Sequence, residues 1–357
     1  MHVSTKAGLA AGFALLLGPA FAFAAPGLEV TLQPLTEKAP GAGRLVYSIS
    51  NRSNVDLLVL AWETPLRGVE DDLFEVSRDG KLVEYVGRHF KRGLPTAEDY
   101  IEIKAGQTLS AEVDLSAHYA MREAGNYRVQ FVGHFHDSFA VKPAKPGTPE
   151  KLVPVSDKDL RSPLVSLWVD GVSVPLSSEP TGVLNFAKAG SVSYVGCSNS
   201  QVTDINNGHS ASKTMAADSN NYLASGAAGP RYTTWFGTYS AQNYSTIKSN
   251  FLAIGDAINN KPLVFNCGCT STAYAYVYPT RPYEVFLCKA FWSAPTSGTD
   301  SKGGTIVHEI SHFDVVAGTD DLAYGQTNCK KLASNPKRAI KNADSHEYFA
   351  ENTPKLN

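Results

Sequence analysis

The five residues His308-Glu309-Ile310-Ser311-His312 constrain this chain more tightly than any other stretch. Only 9 of its 357 residues are histidine, yet two of them stand four apart with an acid directly after the first. On an α-helix, residues i and i+4 are neighbours on one face, so both imidazoles reach one metal ion while Glu309 flanks an open coordination position. The flanking segments TIV and FDVVAG are apolar and draw that face inward. Buried imidazoles need partners, and a metal supplies them. The arrangement suits hydrolysis: a metal lowers the pKa of a bound water toward neutrality, and the glutamate accepts its proton as the water attacks a carbonyl.

A third ligand is expected soon after the motif. Gly318 is placed to end the helix in a left-handed cap and to turn the chain back toward the histidines. Asp320 and Asp321 follow that turn, and Glu347 and Glu351 are more distant acids. A glutamate from a later helix is the arrangement of thermolysin-like enzymes, so spacing alone leaves Glu347 open beside the aspartates. Two imidazoles and one carboxylate suit Zn2+, one ion for the domain that carries them.

The rest of the chain divides around this motif. Its length suits two domains. Residues 1–24 carry Lys6, an apolar run from Leu9 to Leu17 and an Ala22-Phe23-Ala24 cleavage site, which together read as a secretory signal peptide. Gly18 and Pro19 cut the run short of a membrane span. A secreted, extracellular protein with no membrane partner follows as the expectation. The formal net charge of -2 gives no electrostatic reason to expect nucleic acid. All five cysteines lie in the C-terminal half, and in an exported chain they point to disulfides.

Residues 25–170 alternate short apolar runs with turn signals, such as RLVYSIS, DLLVLAW and YRVQFVGHF. Asp79-Gly80 between two such runs predicts a hairpin with a type I′ turn. An all-β sandwich of immunoglobulin-like size is expected. Residues 142–163, rich in Pro, Lys and Asp, have the composition of an exposed connector, and residues 171–190 are assigned as a linker and processing region. It is open whether LVSLWVDGVSVPL belongs to the sandwich or the linker. Residues 191–357 change character, with helical spacing in NSQVTDINNGHSASKTMAADSNNYLA and YSAQNYSTIKSNFLAIGDAINN and short strands in PLVFNC and AYVYPTRPYEVFLC. The fold class expected is α+β: a β-sandwich followed by a mainly helical zincin-type catalytic domain with a small sheet.

The stretch HEISHFDVVAGTDDLAYG resembles the aspzincin signature of deuterolysins and peptidyl-Lys metalloendopeptidases: HExxH, then GTxD, then a nearby YG. The likeness extends through RYTTWFG and NADSHEYFAEN and covers most of residues 190–357. It implies His308, His312 and Asp321 as zinc ligands and Glu309 as general base. Asp320 falls on the variable position, and Tyr324 falls on the tyrosine that donates a hydrogen bond to the oxyanion. It pairs Cys197 with Cys267 and Cys269 with Cys288, and leaves Cys329 single. It also places Asp344 and Glu347 in the pocket for the side chain after the scissile bond, where two carboxylates favour Lys or Arg.

The resulting expectation is a zinc endopeptidase acting on proteins or peptides, with the β domain as a propeptide and intramolecular inhibitor. Lys151, Lys158 or Lys188 are candidates for self-processing and for filling the specificity pocket before activation. The competing readings are a protease with Glu347 as third ligand, and a secreted binding protein whose metal site has no catalytic role.

Overall fold

Asp79 and Gly80 both have positive φ, 52° and 76°, and close the hairpin between Phe74–Arg78 and Lys81–Leu82. That is the conformation an Asp-Gly type I′ turn requires. The computed structural model containing this hairpin describes residues 27–35, 43–135, 137–142, 151–155, 158–171 and 190–357. The expected signal peptide and most of the expected linker lie outside the described residues.

Strands dominate the first half. Leu28–Pro34, Arg44–Asn51 and Thr108–Asp114 form one antiparallel sheet, and Lys151–Pro154, Phe139–Lys142, Asp56–Leu60 and Tyr100–Ile103 form another. A third contains Lys158–Arg161, Ala124–Phe135, Phe74–Arg78 and Lys81–Leu82. Alternation explains the burial: Leu45, Tyr47 and Ile49 of one strand and Tyr127, Val129 and Phe131 of another face a shared core. Val165–Asp170 pairs with Ala124–Phe135, so LVSLWV belongs to the β half.

The expected connector is only partly a connector. Lys151–Pro154 and Lys158–Arg161 are edge strands of two sheets. Lysine and proline are what a solvated sheet edge tolerates, because they discourage pairing with other chains. A composition that resembles a linker is therefore also that of an edge.

The second half is built on a five-stranded sheet in the order Val192–Val195, Leu263–Asn266, Glu284–Leu287, Ala275–Val277 and His89–Lys91. The first three strands are parallel, and the last two join antiparallel. The outermost strand comes from the β half, across a sequence gap that no local pattern bridges. Helices Asn199–Ala224, Ala241–Asn260, Lys302–His312 and Ala343–Glu351 pack with this sheet around a common core. Ser198, Ser240 and Ser301 accept hydrogen bonds from the first turns of three of these helices. Disulfides Cys197–Cys267 and Cys269–Cys288 fasten the sheet, and Cys329 is free and buried.

Glycine lets the HExxH helix approach its neighbours. A Cβ on Gly303 would lie 2.9 Å from Ala211 Cβ, and one on Gly304 would meet the carboxylate of Glu351 and lie 2.9 Å from Glu347 Oε1. Gly304→Ala therefore overpacks the contact with Ala343–Glu351. It should lower stability by about 1–3 kcal/mol, read from denaturant unfolding.

Candidate active site

All eleven residues of Lys302–His312 are buried. The helix start is secured by Glu351, whose Oε1 accepts from both the Ser301 N–H and the Ser301 hydroxyl at 2.8 Å. The helix ends at His312, six residues before Gly318, because Phe313 turns to extended backbone and its side chain enters the core. Gly318 does adopt left-handed backbone, with φ 53°, but within the following turn and not as the helix cap. The turn returns Thr319 to the helix, where its N–H donates to the Ser311 carbonyl at 3.2 Å. The Thr319 carbonyl lies 2.7 Å from His312 Nδ1 and can only accept. Nδ1 therefore carries the proton, and the Nε2 lone pair is left for another partner.

That partner is shared. Asp321 Oδ1 lies 3.2 Å from His308 Nε2 and 3.5 Å from His312 Nε2. Donors on a tetrahedral zinc with bonds of roughly 2.0–2.1 Å stand about 3.3–3.4 Å apart. His308 Nε2, His312 Nε2, both Asp321 oxygens and Glu309 Oε2 are buried and have no hydrogen-bond partner among the described residues. Such a cluster of orphans costs several kcal/mol unless an ion or its water satisfies it. The donor set thus fits a divalent ion, and two nitrogens with one oxygen suit zinc. Burial raises the Asp321 carboxyl, but the two imidazoles outweigh it and hold it well below the usual range. Burial pushes Glu309 up to about 7.

The other acids are turned elsewhere. Asp320 is tied through its backbone to Lys341 and Ala343, and Glu351 caps the helix. Asp344 Oδ1 and Glu347 Oε2 lie 2.9 Å and 3.3 Å from His308 Nδ1, the ring nitrogen opposite the one facing Asp321. Between these two acids sits an ammonium. Lys91 Nζ is 2.6 Å from Glu347 Oε2, 3.8 Å from Asp344 Oδ1 and 3.3 Å from Asp300 Oδ1. Burial alone pulls the lysine down, but the three acids outweigh it and hold the ammonium well above the ordinary lysine range. The lysine in the acid pair is thus Lys91, and not one of the three expected from the connector. Lys151 is exposed, Lys188 lies outside the described residues, and the side chain of Lys158 is not among those described.

The backbone around Lys91 also meets expected site residues. The Tyr324 hydroxyl donates to the Phe90 carbonyl at 2.9 Å, and the Lys91 N–H donates to Glu309 Oε1 at 3.2 Å. The neighbouring His89 ring is tilted 31° against His312 with centroids 4.8 Å apart, and burial together with His312 holds its pKa down to about 3. Sequence reasoning missed His89, Lys91, Asp300, Thr319 and Asn342. Asn342 secures the loop between ligand and tyrosine: its Oδ1 accepts from the N–H groups of Leu322 and Ala323, and its amide donates to the Ala323 carbonyl. The NADSHEYFAEN segment was the available signal for Asn342. For His89 and Lys91 there was none, because they lie more than 200 residues away in the chain.

Comparison with known proteins identifies the family. The aspzincin family model, described as lysine-specific metallo-endopeptidase, matches residues 221–351. An extracellular protease of Aeromonas hydrophila is 43% identical over 351 residues, which cover 96% of this chain and 98% of that protein. The chain belongs to the aspzincin family of metalloendopeptidases. This aspzincin is also 35% identical over 347 residues to a peptidyl-Lys metalloendopeptidase of Grifola frondosa, covering 92% of the chain and 94% of the relative. A solved zinc peptidase from the same fungus matches 45% of the aspzincin and all of its own chain, at 45% identity and a TM-score of 0.43. Among the described residues, no helix is long and apolar enough to cross a membrane.

The two neighbouring aspartates of the aspzincin separate in a metal-binding measurement. Asp321→Ala should weaken zinc retention on the order of 100-fold or more, read by elemental analysis after dialysis against a graded chelator. Asp320→Ala should retain zinc as the parent does.

Proposed function

We propose that this metalloendopeptidase is a secreted zinc enzyme, made as a latent precursor, that cuts peptide bonds on the amino side of lysine. The observation that carries the reading is Lys91. Its ammonium lies between Glu347 and Asp344 while its own peptide bond touches Tyr324 on the carbonyl side and Glu309 on the nitrogen side. The names of the peptidyl-Lys relative and of the family model point the same way.

The residue roles follow from these contacts. His308, His312 and Asp321 would hold the zinc, which when bound supplies a Lewis acid and an acidified water. Glu309, raised to about 7 by burial, is suited to take up a proton near neutrality and pass it to the departing nitrogen. The Lys91 nitrogen, 3.2 Å from Glu309 Oε1, marks where that nitrogen lies. The Tyr324 hydroxyl, aimed at a carbonyl oxygen, is placed to stabilise charge that develops there. Asp344 serves two neighbours, fixing the His308 ring through Nδ1 and adding negative charge to the pocket.

The pocket favours lysine over arginine. Lys91 Nζ sits 5.0 Å from the centre of the Tyr274 ring and 5.9 Å from that of Tyr348, and the side chain is fully buried. This space holds a compact ammonium on a flexible stem, with carboxylate oxygens on several sides of one nitrogen. An apolar side chain would leave two buried carboxylates unpaired and be rejected. Glu347 as third zinc ligand is disfavoured, because its oxygen faces Lys91 and the outer nitrogen of His308.

Two substitutions test the assignment together. Glu309→Gln should abolish peptide cleavage while zinc stays bound; cleavage that survives would refute the general base. Glu347→Gln should lower kcat/KM for peptides with lysine after the cut by on the order of 100-fold, about 3 kcal/mol, with a much smaller loss for peptides with a neutral residue there.

Latency is supported by the position of His89–Lys91, which continues the catalytic sheet and covers the site. N-terminal sequencing of active enzyme from the culture medium should find a start beyond Lys91. A fully active chain that still contained residues 89–91 in covalent continuity would refute it.

A further inference from the structure

The strand His89–Lys91 poses a chemical question that the proposed function does not answer. It pairs antiparallel with Ala275–Val277, placing His89 opposite Val277, Phe90 opposite Tyr276 and Lys91 opposite Ala275. The carbonyl of Phe90 and the nitrogen of Lys91 each touch a group assigned to catalysis, and the lysine fills the pocket. In this register, Phe90–Lys91 is a substrate bond. A lysine-directed enzyme should cut it, and a chain cut there would lose its inhibitor at once.

We propose that His89 is a metal ligand of the latent enzyme: its imidazole takes the coordination position that the attacking water needs, so that the in-register Phe90–Lys91 bond is held uncut. This rests on the assignment of His308, His312 and Asp321 to the metal. Those three residues leave a tetrahedral ion one open position. His89 is only 4% exposed, and its Nδ1 has no hydrogen-bond partner among the described residues. A buried ring nitrogen without a partner is costly, and its surroundings show what it lacks. The nitrogen lies 4.0 Å from Asp321 Oδ2, and donor atoms of His89, His312 and Asp321 all fall within 4.8 Å of one another. Donors that share a tetrahedral zinc stand about 3.3–3.4 Å apart, so a closure of at most roughly 1.4 Å would bring the set within bonding range.

The ring is braced from the β half. Tyr85 meets it edge-on with centroids 5.4 Å apart, and Tyr119 supports Tyr85 from behind at 5.3 Å. Gly87 makes that brace possible, since a Cβ there would collide with the Tyr85 ring. The latch is therefore held by packing in one half of the chain and by the metal in the other. Pulling the strand from the cleft removes the nitrogen ligand and the lysine together, and the open position returns to water.

Full-length protein tests this in two arms. Zinc K-edge X-ray absorption on the Glu309→Gln chain, in which nothing is cut, should count three imidazoles at the metal. The same chain with His89→Phe keeps a ring against His312 and Tyr85 but offers no donor, and should count two. His89→Ala gives a second reading should the phenyl ring repack. In the other arm, with Glu309 intact, His89→Phe should be hydrolysed between Phe90 and Lys91. There the C–N bond breaks, hydroxyl joins the Phe90 carbonyl carbon, and hydrogen joins the nitrogen of a new N-terminal Lys91, which mass spectrometry detects. The unsubstituted chain should stay whole at that bond. Two imidazoles with and without His89 would overturn the latch and leave the metal assignment standing. A chain that takes up no zinc, or takes it up independently of Asp321, would overturn both.

Discussion

The site depends on one electrostatic constraint: two imidazole nitrogens and a carboxylate, all buried, point at one another with nothing among the described residues to satisfy them. Such a group suits a cation held between its members, and neighbouring residues hold it in place. Thr319 holds the outer nitrogen of His312, and Asp344 lies against that of His308. Asn342 clamps the backbone just past Asp321. Each of the three residues proposed as ligands is thereby oriented by a neighbour that does not itself face the proposed metal position.

Close helix packing brings the acids into reach. Gly304 at the start of the HExxH helix allows Ala343–Glu351 to lie against it, and that helix carries Asp344, Glu347 and Glu351 on successive turns. Three carboxylates then perform different tasks within a few ångströms. Glu351 caps the helix, Glu347 receives the ammonium, and Asp344 stands between the ammonium and the ligand His308. The pocket and the metal position therefore share a residue. The Lys91 ammonium thus acts on the carboxylate beside His308, and the proposed pocket is joined electrostatically to the proposed metal site.

The β half takes part in the same site. Its strand His89–Lys91 extends the catalytic sheet, and its tyrosines Tyr85 and Tyr119 pack behind the strand. Sheet extension is a natural way for a peptide to enter a cleft, because main-chain hydrogen bonds hold any sequence while single pockets choose the side chain. Here the same mode holds a segment of the chain itself.

Much of this was legible in the sequence because it is local. Two histidines one turn apart, the Asp-Gly hairpin and the long helices each depend on residues a few positions apart, and the structure has them as expected. The resemblance to aspzincins also indicated the disulfide pairing and singled out Asp321. Other features depended on distance. The connector turned out to contain edge strands, because composition cannot distinguish a solvated edge from a linker. The lysine in the acid pair is Lys91, because pairing between strands far apart in sequence is set by which edges remain open once both halves have folded. The sequence alone determined which residues can grip an ion and on which helix. Only the tertiary structure decided what lies against them, since long-range β pairing carries no periodic signal along the chain.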